Sequence, residues 1–188
     1  ATITAGLANA LATRSGEAKV ARQDGDSNAA LAGAARKIEA VYELPLLPHA
    51  TLEPQNCTVV PDGDTLHVYA PTQVQGLAQT AAATAAGIPP ERVLVHTTLL
   101  GGGFGRRLEV DFIPAAVEAA RAVNAPVKLL WTREDDTTHD YYRPPYRHRC
   151  SAALGPDGAI GAWKFEICGP SVTSRYLPAF VATMIDPF

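Results

Sequence analysis

An α+β fold, a mixed β-sheet with helices packed on it, is predicted by three features of the sequence. β-Rich runs flank two turns, Pro61-Asp62-Gly63-Asp64 and Gly155-Pro156-Asp157-Gly158. An alanine-rich helical stretch ends at Gly87 before Pro89-Pro90. A strand, a glycine loop and a second helix then follow in that order. With 188 residues, 47% hydrophobic and 19% charged, the chain is long enough to fold around one main core.

Residues 1–26 are small and polar with no strong period, which predicts a short helical stretch and then a connector. Ser27 is placed to cap a helix with the apolar stripe Leu31, Ala34, Ala35 and Ile38, and Val41 to Leu46 read as a strand ended by Pro45 and Pro48. "CTVVPDGDTLHVYAP" predicts a hairpin. Thr72 and Gln75 have the spacing of a capping box, opening a helix through Val74, Leu77, Ala78, Ala81 and Ala85. A strand at Val93 to His96 leads into the glycine loop. A helix runs from about Phe112 to Val123, with Pro114 in its first turn and Asn124 near its end. Val127 to Arg133 reads as a buried strand, and the last hairpin alternates Trp163, Phe165 and Ile167 on a packed face with Ala162, Lys164 and Glu166 on a wet one.

The totals exclude several classes of function. A formal net charge of −3 argues against a general nucleic-acid binder, which normally needs a basic excess. Cys57, Cys150 and Cys168 are scattered with no C-x-x-C, so neither a disulfide framework nor a zinc or iron-sulfur ligand set is legible. No apolar run reaches the ~18 residues of a membrane span, and the first residues lack the pattern of a signal peptide. Ala1 and Phe188 both read as cut points, so a fragment of a longer protein is expected.

Chemistry concentrates in "LLGGGFGRRLEVDF", Leu99 to Phe112. Glycines let a ligand approach the backbone, and free N–H groups with a following helix N-terminus favour an anion. The pattern is neither G-x-G-x-x-G nor G-x-x-x-x-G-K-[ST], which disfavours a dinucleotide fold and a P-loop. A tight turn with solvated arginines is the plainer reading of such a cluster. Phe104 favours a cofactor wall, because an aromatic ordered inside a glycine run loses entropy unless something flat or enclosed meets it. A non-catalytic anion- or nucleotide-binding module using the Gly101–Gly105 loop is the alternative from another class.

"LLGGGFGRR" resembles the signature loop of the molybdopterin-binding subunits of the xanthine dehydrogenase and aldehyde oxidase family, and more narrowly the isoquinoline 1-oxidoreductase β-subunit branch. "YELPLLPHATLEPQNCTV", "VYAPTQVQGLAQTAAATAAGIPPERVLVH", "VKLLWTREDDTTHDYYRPPYRHR" and "DGAIGAW" resemble that branch in the same order, so the likeness covers about Val20 to Trp163. It implies a molybdenum-cofactor-binding fold, with residues 27–188 the first part of the molybdopterin-binding region. Gly102, Gly103, Phe104 and Gly105 are then expected against the cofactor, with Arg106 and Arg107 near its anionic groups. The cofactor brings its own sulfurs to the metal, so no metal ligand is expected from the chain.

By the same resemblance, the H-A-x-x-E-P segment brings His49 and Glu53 toward the substrate cavity, although a His and a Glu four apart also read as a local hydrogen-bonded pair. Xanthine-oxidising relatives carry a Gln two positions before this His; here it is Leu47, which disfavours purine substrates. "THDYYRPPYRHR" interleaves aromatics and cations that could stack a ring, bind nucleic acid or cover a surface, and the preceding Glu134, Asp135, Asp136 and Asp140 weaken the nucleic-acid reading. Arg143 is the expected substrate-orienting cation, with Tyr142 and Tyr141 as wall residues.

The implied reaction is hydroxylation of an N-heterocycle such as isoquinoline, or of an aldehyde, with oxygen from water and electrons passed to a small iron-sulfur subunit. The general-base glutamate is expected beyond Phe188, so no catalytic residue is assigned within the chain, which is expected to be inactive alone. The remainder of the same large subunit is a further expected partner, and the cytosine dinucleotide is the expected form of the pterin. The resemblance leaves periplasm and cytoplasm equally open.

Overall fold

A computed structural model of the chain describes residues 2–13, 19–172 and 174. In chain order its elements are α1 (Thr2–Thr13), α2 (Ser27–Gly33), β1 (Arg36–Leu44), β2 (Asn56–Asp62), β3 (Thr65–Ala70), α3 (Gln75–Ala86), β4 (Val93–Thr97), α4 (Phe112–Val123), β5 (Val127–Leu130), α5 (Arg133–Thr138), β6 (Tyr146–Leu154) and β7 (Ile160–Cys168). The fold is α+β, as the sequence predicts. The described residues divide between two compact units: those up to Leu47 with those from Arg143 onward, and Pro48–Tyr142.

The first unit is a three-stranded antiparallel sheet in the order β1-β6-β7, with α1 and α2 packed against β6 and β7. Here the predicted boundaries move. Helix α2 stops at Gly33, and Ile38 lies in β1 rather than on a helical stripe. Nine consecutive residues of β1 pair with β6, from Arg36↔Leu154 to Leu44↔Tyr146, and that ladder outweighs local helical preference. Asp26, not Ser27, caps α2 by accepting from the Ala29 N–H at 2.9 Å.

The second unit carries the main buried cluster and a four-stranded sheet in the order β4-β3-β2-β5. The predicted hairpin is β2 and β3; β3 then runs parallel to β4, with α3 as the crossover that parallel strands require. Ala78, Ala82, Ala83 and Ala86 of α3 and Phe112, Ile113, Ala116, Val117 and Ala120 of α4 meet Cys57, Val59, Leu66, Val68 and Val93 of the sheet. Small side chains on α3 let the two helices lie close on one face. Leu77, expected on the apolar stripe, is exposed.

Two caps differ from the predicted ones. The Thr72 hydroxyl is buried, accepts the Val74 N–H and donates to the Arg107 carbonyl, so it ties a loop and caps no helix. Thr132 with Asp135 forms a capping box instead, which opens α5. Strand β5 accordingly ends at Leu130, short of the predicted Arg133.

Candidate functional site

The glycine loop leaves β4 at Thr97 and bends through three residues of positive φ: Gly102 (+104°), Phe104 (+55°) and Gly105 (+103°). It then makes a single 3-10 turn, Arg106–Leu108, before α4 begins at Phe112, so the loop does not open directly onto that helix's N-terminus as the sequence suggests. A Cβ at Gly103 would stand 2.6 Å from Gln73 Oε1, and one at Gly101 would collide with Glu53. Glycine here permits close packing as well as unusual dihedrals.

Beneath the loop lie two buried arginines. The Arg107 guanidinium donates to the Gly102 carbonyl (2.8 Å), the Glu53 carbonyl (2.7 Å) and carboxylate (3.0 Å), Gln55 Oε1 and the Pro71 carbonyl. Desolvation lowers its pKa, opposed by the Glu53 and Asp136 carboxylates. Arg106 forms a two-pronged pair with Asp111 at 2.9 and 3.0 Å, and its Cζ lies 5.6 Å from the Trp131 ring and 5.4 Å from the Tyr141 ring. Its Nε is 3.2 Å from Asp140 Oδ1. The plainer reading of solvated arginines is thereby overturned. Their charges are used inside the unit to hold the loop.

The loop is also gripped from the side. Glu53 accepts the Gly101 N–H at 2.8 Å while its own N–H donates to the Gly101 carbonyl at 3.1 Å, and Gln73 Oε1 accepts the Gly105 N–H at 3.2 Å. Gln55 links Arg107 to Asp136. Among the described residues the N–H groups of Gly102, Gly103 and Phe104 have no partner, and the Phe104 ring is 70% exposed. A rigid bend with three spare donors and one presented aromatic face suits a flat ligand bearing acceptor atoms.

His49 and Glu53 do not pair with each other. Glu53 belongs to Arg107 and the loop, whereas both the backbone N–H and Nδ1 of His49 meet Asp140. Tyr142 donates to the Thr137 carbonyl, and Arg143 bridges to Leu47 through backbone hydrogen bonds in the other unit. The structure thus gathers His49, Glu53, Arg106 and Arg107 at the loop and leaves Tyr142 and Arg143 outside that network. Gln73, Asp140, Asp111 and Gln55 are missed by sequence reasoning. Asp140 lies 91 residues from His49, so spacing carries no sign of it.

The sequence model of the molybdopterin cofactor-binding domain matches residues 12–183. The chain belongs to this family. Isoquinoline 1-oxidoreductase subunit beta of Brevundimonas diminuta is 34% identical over 137 residues, 72% of this chain and 18% of that protein. The aldehyde oxidoreductase molybdenum-binding subunit PaoC of Escherichia coli (strain K12) is 33% identical over 144 residues, 76% of this chain and 20% of that protein. Among solved structures, the aldehyde oxidoreductase of Desulfovibrio gigas superposes with a TM-score of 0.61 at 20% identity over 77% of this chain and 16% of that one, a likeness of fold. The chain therefore spans about a fifth of the length of these molybdopterin-domain relatives.

Proposed function

We propose that this molybdopterin-binding domain forms one wall of the active-site cleft of a molybdenum hydroxylase acting on an N-heterocycle or an aldehyde, with electrons leaving to a small iron-sulfur subunit. The observation that carries the reading is the loop itself: spare N–H groups at Gly102, Gly103 and Phe104 beside an exposed aromatic ring, on a backbone fixed by buried Arg106 and Arg107. When bound, the cofactor supplies oxygen-transfer and redox chemistry that side chains lack. The Gly102, Gly103 and Phe104 amides would donate to acceptor atoms of the bound cofactor, and the exposed Phe104 ring would wall it. Gly103 leaves room for Gln73 against the loop, and Gly105 keeps a Cβ off His49 Nε2. Arg107 and Glu53 maintain the bend, and Arg106 anchors its far end through Asp111. His49, Glu53, Tyr142 and Arg143 remain the candidates for the substrate side, Arg143 as the orienting cation, with the cytosine dinucleotide as the proposed form of the pterin.

No carboxylate of the chain is given the role of general base, since Glu53 is occupied by Arg107, Asn56 and the Gly101 N–H. Elemental and pterin analysis of the purified full-length protein tests the reading. Molybdenum, an oxidisable pterin and cytosine nucleotide released by mild acid, in equal amounts, are the expected result. Folded protein that carries no molybdenum but binds phosphate ligands would sink it in favour of the anion-binding module.

A further inference from the structure

We propose that His49 and Asp140 form a carboxylate–imidazole dyad that turns His49 Nε2 into a hydrogen-bond acceptor for a ring N–H of a pterin held on the glycine loop. This rests on the cofactor reading above and adds a recognition residue to it. The His49 side chain is 9% exposed and that of Asp140 2%. Asp140 Oδ2 accepts the His49 backbone N–H, and Nδ1 lies 2.9 Å from Oδ1 and 3.2 Å from Oδ2. A carboxylate only accepts, and Oδ1 also lies 3.2 Å from Arg106 Nε. A single ring proton is therefore held on Nδ1, facing the acceptor-only carboxylate, and that leaves Nε2 with its lone pair.

That nitrogen faces Gly105. A Cβ built on Gly105 would lie 3.5 Å from Nε2, so any larger residue there would cover it, and among the described residues Nε2 has no partner. The loop amides are all donors. Donors alone serve a phosphate, whose ionised oxygens only accept; an acceptor placed beside them selects a ligand that also carries its own N–H. A pterin ring presents both along its amide-like edge, which separates this site from a plain anion pocket.

Nitrogen-15 NMR of the full chain labelled at its five histidines tests the dyad, with the His49 signals assigned from H49F. The wild type is expected to show protonated Nδ1 and bare Nε2. Adding 6-hydroxymethylpterin should move the Nε2 resonance, and sulfate, an anion with no proton to donate, should leave it in place. In D140N the amide oxygen is required by the His49 backbone N–H, so the NH2 group faces Nδ1 and the proton moves to Nε2. Pterin affinity should fall about tenfold in both H49F and D140N, the loss of roughly one neutral hydrogen bond. A wild-type Nε2–H tautomer, pterin binding with Nε2 unmoved, or no pterin binding overturns the dyad. The molybdenum content of the purified protein decides the cofactor reading separately, so molybdenum present with Nε2 unmoved removes this inference alone.

Discussion

Arg107 shows how much one buried side chain organises. Its fork reaches the Gly102, Glu53 and Pro71 carbonyls, Gln55 Oε1 and the Glu53 carboxylate, so a single residue links the loop to two other segments. Lysine keeps the charge but offers one nitrogen to replace three, leaving buried acceptors unpaired. R107K is expected to destabilise the protein by about 2–4 kcal/mol in urea unfolding and to lower molybdenum content in parallel. Cys57 gives a residue-scale test by pH. Burial pushes its thiol from 9.0 up to about 12, so the native state holds this proton where the unfolded chain releases it. A raised acid pKa contributes stability that is intact below pH 9.0 and declines as pH rises toward about 12, by at most about 1.4 kcal/mol per pH unit. C57A should flatten that stretch of the stability profile, and at pH 8 a thiol reagent should label Cys57 only on unfolding.

Among the elements, α4 is the most legible, because its first-turn proline and its end are each fixed by local chemistry. Asn124 takes the left-handed conformation at φ 49°, and its N–H closes the last turn onto the Ala120 and Arg121 carbonyls. N124A is expected to cost about 1 kcal/mol and N124G little or nothing, measured as the shift in thermal midpoint. The cap read at Thr72 and Gln75 shows the limit of such signals. The spacing is right, but the Thr72 hydroxyl is taken by the Val74 N–H and the Arg107 carbonyl, a partner 35 residues away. The strand read at Val41 to Leu46 is present as β1, but its start moves back to Arg36 for the same reason at larger size, since pairing with β6 across more than a hundred residues decides its conformation. The glycine loop was legible as a close-approach bend, while the supports that fix it, Gln73, Gln55 and Asp140, left no mark in local spacing.

At the scale of the molecule, alternation tells which residues share a sheet face but not which face the helices cover. Trp163, Phe165 and Ile167 do alternate with Ala162, Lys164 and Glu166, as the sequence indicates. Register places Trp163 beside Ala152 and Ile38, and Phe165 beside Cys150 and Ala40, on one face of the first unit's sheet. Lys164 Nζ meets Asn28 Oδ1 of α2 at 2.9 Å, so α2 packs on the face expected to be wet. Trp163 and Phe165 are 56% and 47% exposed, along with Ile38, Tyr42 and Leu44. A contiguous apolar face of this kind should bind a reporter dye such as ANS in the native chain. Replacing both rings by threonine, W163T with F165T, keeps β-propensity and removes most of that surface. Dye binding should fall while the urea unfolding free energy changes by less than about 1 kcal/mol. Rings packed in a core would cost about 3–5 kcal/mol each on truncation, so a loss of that size would return this face to the interior that periodicity first suggested.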